Sequence, residues 1–109
     1  MNTIEIEKSK VHNTSHIVNY QKNSIVIKRI LKKSAGNISV LSFDNGEGLN
    51  EKKIAFDSFI QVIDGKADIV IEGKSNLLET GQSIVIPAYA SNYIKPNGKF
   101  KMIKTVIES

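Results

Sequence analysis

Two histidines four residues apart, His12 and His16, are the first residues in this chain whose spacing suggests chemistry. On a helix they would share a face and could act as two zinc ligands. The segment around them, VHNTSHIVN, is β-branched and rich in asparagine, so a helix there is disfavoured, and no third ligand lies nearby. They read as surface histidines. The acids Glu47, Glu51 and Asp57 cluster in the middle of the chain but are interspersed with Lys52 and Lys53, the pattern of a solvated charge network. With no cysteine, the chain has no disulfide, no thiolate nucleophile and no cysteine-ligated zinc. Nothing in the sequence forms a Ser-His-Asp arrangement or a glycine loop that would cradle a phosphate.

Charge narrows the choice of partner. The 109 residues carry 15 basic and 11 acidic side chains, a net +4. Residues 1–33 hold seven basic and two acidic groups (+5), leaving eight and nine (−1) for the rest. A basic patch of Lys28, Arg29, Lys32 and Lys33 invites a nucleic-acid reading. However, fourteen of the basic residues are lysine and one is arginine, whereas base and phosphate recognition relies on arginine forks. A solvated lysine face is the simpler account, and no nucleic-acid partner is expected. No apolar run approaches the ~18 residues of a membrane span, and MNTIEIEKSK has no apolar secretion core. A soluble, cytoplasmic protein is expected.

The elements that must position any site are strands. Residues 1–20 show only short alternations (Ile4 with Ile6, then Val11, Ile17, Val18 and Tyr20), which predict an extended arm pairing with a sheet edge. From Ser24 onward β-branched runs alternate with turn residues. Strands are predicted over 24–33, 38–44, 50–56, 58–64, 66–72, 75–79, 82–87, 90–95 and 99–107. Asn45-Gly46, Asp64-Gly65, Glu72-Gly73 and Thr80-Gly81 mark the links. On the last strand Phe100, Met102 and Val106 share one face, and Ile103 and Ile107 the other. Nine short strands without a 3.6-residue stripe point to an all-β sandwich or barrel. Phe59 and Ile63 on one face of their strand, with Ile60 and Val62 on the other, imply a second covering layer. The arm or a partner subunit could supply it, and a homodimer is expected.

Two glycine-framed stretches, FDNGEGLNEKKIAFDSFIQVIDG (43–65) and GQSIVIPAYASN (81–92), resemble the two motifs of the cupin superfamily. The likeness is strongest to its small single-domain bacterial members of the cupin 2 conserved-barrel type. The first motif runs from Gly46 to Gly65 without a gap. The second starts at Gly81 and places Pro87 on the motif proline. The resemblance covers about residues 24–107 and implies a small jelly-roll β-barrel, the double-stranded β-helix. Residues 1–109 would form one domain, with 1–23 as an arm and 24–107 as the barrel.

In that family two histidines, a glutamate and a third histidine hold a divalent metal inside the barrel. The matching positions here are Lys52, Ile54, Ser58 and Asn92, so the resemblance implies a degenerate metal site without metal or other cofactor. Ser58, Ile60 and Val62 would face inward and Gln61 away. The implied function is binding or sensing of a small polar or anionic metabolite, with Lys52 as charge anchor and Ser58 and Asn92 as hydrogen-bond partners. Tyr89, at a motif glycine, would fill the space left by the missing imidazole or close the mouth. The alternatives are a cupin-derived enzyme of isomerase or dioxygenase type and a structural dimerisation module. No catalytic residue is assigned.

Overall fold

A computed structural model of the chain describes residues 5–108; Ile4, the first residue of the arm's alternation, lies outside them. Eight strands form one antiparallel sheet: β1 (Ile25–Lys33), β2 (Gly36–Phe43), β3 (Leu49–Lys52), β4 (Asp57–Ile71), β5 (Lys74–Glu79), β6 (Ser83–Ile86), β7 (Asn92–Lys95) and β8 (Phe100–Ile107). The order is β1-β2-β8-β4-β7-β3, with β5 and β6 also paired to β4.

The sheet curls because β4 belongs to both of its halves. Asp57–Gly65 pairs with β8, and its first residues also with β6, whereas Lys66–Ile71 lies between β5 and β7. The predicted strands 58–64 and 66–72 are therefore one strand, bent at its middle. The ladder to β8 shifts register between Val62 and Asp64, and Gly65 adopts φ 76°. A β-carbon on Gly65 would collide with the Lys99 carbonyl oxygen, so the bend depends on a residue without one. The predicted strand 50–56 is also shorter than expected. β3 ends at Lys52, after a register shift against β7, and residues 53–56 cross from one half of the sheet to the other.

The curl encloses the core. Leu41, Phe43, Ile60 and Met102 from one half pack with Ala67, Ile69, Leu78 and Ile94 from the other. Phe43 and Phe100 stack at the centre, ring centroids 4.3 Å apart. This is an all-β jelly-roll half-barrel.

The arm does not extend the sheet. Among the described residues it contains one 3-10 turn, Thr14–His16, and no strand. It crosses the outer face of β2, β8 and β4, where Val18 is buried. There the Ser42 hydroxyl donates to the Asn19 carbonyl (2.9 Å) and the Lys101 ammonium to the Ser15 carbonyl (2.5 Å). The Tyr20 hydroxyl donates to Asp64 (2.6 Å), and its ring lies beneath the Lys99 and Lys101 ammoniums. At the edge strand the Glu5 carboxylate accepts the Lys32 N–H. A ladder is not formed because this stretch satisfies its polar groups through a turn and side chains. The arm thus supplies a covering layer, while Phe59, Val85 and Ile107 remain exposed.

Among the described residues no helix is long and apolar enough to cross a membrane.

Candidate functional site

In an antiparallel ladder, directly opposed residues share a face. One inward-facing row therefore runs across half of the sheet: Arg29 on β1, Ser39 on β2, Lys104 on β8, Ile60 on β4 and Ile84 on β6. Ile60 lies in the core, so Lys104 projects into the barrel. The next row places Ser58 opposite Val106 on one side and Ile86 on the other. On the facing half, Ile71, Asn92 and Lys52 form a third row, with Ile71 packed against the core.

Lys52 and Lys104 meet across the interior. The Lys104 amine has its pKa lowered to about 8, first by burial, then by the charge of Lys52 and by a hydrogen bond with it. Among the described residues neither amine forms a salt bridge. Two ammonium groups ~4 Å apart repel by ~4 kcal/mol at an effective dielectric near 20. Ser58 is 1% exposed, and its Oγ has no hydrogen-bond partner. A buried hydroxyl without a partner costs ~1–3 kcal/mol. The Arg29 Nε is likewise buried without a partner. The inner face thus holds two interacting amines without a salt-bridge partner among the described residues.

Asn92 is 3% exposed, but its amide N–H groups donate to the carbonyls of Ala90 (3.1 Å) and Lys52 (3.4 Å). Its donors are spent on backbone, so it fixes the end of β3 and with it the root of the Lys52 side chain. Ile54 is half-buried in the crossing segment, where its carbonyl accepts the Tyr89 N–H (2.6 Å). Tyr89 itself is 71% exposed, with φ 67°. Of the two expectations for Tyr89, filling the vacated space or closing the mouth, the first is therefore corrected: in the left-handed backbone of the Pro87–Ala90 turn the side chain is exposed.

Lys104 was not among the expected site residues. Its signal was the period of two on β8, where Phe100, Met102, Lys104 and Val106 alternate onto one face and the lysine breaks an otherwise apolar row. Arg29 was grouped with Lys28, Lys32 and Lys33. Those three are exposed, while Arg29, opposite Ser39, is half-buried on the inward-facing side of β1. His12 bonds the Glu7 carbonyl (2.9 Å) and His16 is exposed. Among the described residues no three of His, Cys, Asp and Glu come together as a metal site.

No protein-family model and no curated protein matches the chain. Solved structures do. A protein of unknown function from Streptococcus pyogenes superposes with a TM-score of 0.91 at 22% identity, over 100% of this chain and 96% of its own. A cupin superfamily protein from Desulfitobacterium hafniense gives 0.89 at 18% identity, over 100% of both chains. The chain has the cupin fold. A cupin 2 conserved barrel domain protein from Leptotrichia buccalis gives 0.82 at 29% identity, over 85% of this chain and 45% of its own. At these identities the likeness carries the fold and no reaction.

A cupin of the metal-binding kind needs imidazoles and a carboxylate around its ion. At the positions that the motif resemblance assigns to those ligands, this chain has an ammonium, a hydrocarbon, a buried hydroxyl and an amide whose donors are taken. Lys104 adds a second amine. Such a donor set does not fit a divalent metal, and Lys52 would repel one.

Proposed function

We propose that this cupin binds a small organic anion inside its barrel, without metal, between the amines of Lys52 and Lys104. The observation that carries the reading is the juxtaposition of two amines on the inner face, neither of which forms a salt bridge among the described residues. Stability alone disfavours this arrangement. An anionic ligand offsets this cost, because its oxygens accept from both amines while its charge reduces their repulsion. Partial burial of the Lys104 amine strengthens its bond relative to the same contact in water.

The test is thermal unfolding against a panel of small mono- and dicarboxylates and phosphate esters. A true ligand at ~100 times its Kd adds ~2.7 kcal/mol, which for a domain of this size raises Tm by ~10 °C or more. Lys104→Met is expected to abolish that rise while the fold persists. A panel in which no anion shifts Tm, or a shift retained in Lys104→Met, overturns the reading.

A further inference from the structure

We propose that Lys104 is a nucleophile that captures the carbonyl carbon of a small 2-oxo acid as an imine, while Lys52 holds the acid's carboxylate. This inference rests on the anion-binding reading and goes beyond it by naming the ligand class and a covalent step.

The argument starts from what distinguishes Lys104 among fourteen lysines. Lys101 is also buried, but its amine is committed to the Ser15 carbonyl. Lys66 and Lys95 pair with Glu79 and Asp68. Lys104 combines placement on the inward face of the barrel with the amine of Lys52 close to its own. A desolvated lysine beside another cation keeps a larger share of its amine unprotonated near neutral pH, as nucleophilic attack on a carbonyl requires. Its lowered basicity agrees with this.

The second amine explains the ligand class. An aldehyde or ketone without charge would leave Lys52 uncompensated. A 2-oxo acid places a carboxylate next to its carbonyl, so one ligand can present an anion to Lys52 and an electrophile to Lys104.

The step balances without a further reactant. The neutral Lys104 amine forms the C–N bond, and the carbonyl π pair moves to oxygen, which takes the proton that the attacking nitrogen gives up, leaving the neutral carbinolamine. Loss of that hydroxyl with one added proton releases water and leaves the protonated imine. Overall, one amine, one carbonyl and one proton give one iminium and one water. Lys52 or solvent supplies the proton, and the ligand carboxylate offsets the iminium charge.

The experiment exposes the full-length protein to glyoxylate, pyruvate or 2-oxoglutarate, then reduces it with borohydride. Intact mass and peptide mapping follow. The expected result is one reduced adduct per chain, located at Lys104, lost in Lys104→Arg and reduced at least tenfold in yield in Lys52→Met. Mapping the unmodified chain locates the adduct even where a variant folds poorly. Lactate serves as the control that lacks a carbonyl. If lactate and pyruvate both raise Tm but no adduct forms at Lys104, the imine is refuted and anion binding stands. If neither acid nor any other anion in the panel raises Tm, and no adduct forms, both readings fail. Adducts scattered over surface lysines, with Lys104 unmodified, also refute the imine.

Discussion

An amine held inside a β-barrel beside another amine is less favourable charged than neutral, and this makes Lys104 visible to pH. Its pKa falls from 10.5 to about 8 in the fold, chiefly through burial and then through Lys52. The sign follows from proton counting. Below about pH 8 both states carry the proton and the full penalty weighs on the folded state. Between about pH 8 and 10.5 the unfolded chain binds more protons, so stability rises with pH; above that range both states are neutral and the penalty is gone. Urea denaturation across this range should show a rise in unfolding free energy for the unmodified chain relative to Lys104→Met, and parallel profiles would contradict it. The residue was legible in principle, since FKMIKTVI puts a lysine in an apolar row. What could not be read was its meeting with Lys52, because that contact joins two halves of the sheet through curvature that no local pattern encodes. Asn92 is the converse case. Its position in the second motif was readable, but the commitment of its donors to Ala90 and Lys52 depends on the register of a short edge strand.

At the level of elements, β4 sets the shape. Strand propensity alone splits it at Asp64-Gly65, because a glycine after an aspartate resembles a hairpin turn. The ladders to β8 and β5 continue on either side, and the glycine serves as a bend in one strand. A turn and a bend share the same local need, a residue with positive φ, and differ only in which strands pair, which is a non-local fact. Gly65 and Gly73 allow the two requirements to be separated. Both have φ near +77°, within the region that disfavours other residues, but a β-carbon at Gly73 meets open space while one at Gly65 meets the Lys99 backbone. Gly73→Ala should therefore cost ~1–2 kcal/mol for conformation alone, and Gly65→Ala at least ~3 kcal/mol once the clash is added. Equal losses in urea denaturation would show that the close approach at Gly65 does not constrain the bend.

For the whole molecule, the two faces of the sheet have separate duties. The inner face holds the core and the cationic site; the outer face is where the arm packs. The sequence indicated that a second layer was needed, because several strands are apolar on both sides. It named the arm or a partner subunit as the source, but read the arm as pairing with a sheet edge, since a turn that lies flat over a sheet leaves no periodic trace. The arm's attachment rests on Val18 and on carbonyls accepting from Ser42 and Lys101, all on the side away from Lys104. This separation predicts a double dissociation. Val18→Ser removes a buried side chain and should lower the unfolding free energy by ~2–3 kcal/mol, yet leave the anion-induced rise in Tm intact, because no contact between the arm and the inner face is disturbed. Lys104→Met should do the opposite, keeping or raising stability below about pH 8 while abolishing the ligand effect. Loss of the ligand response in Val18→Ser at temperatures where it remains folded would mean that the arm shapes the barrel interior, and the division of labour between the two faces would fail.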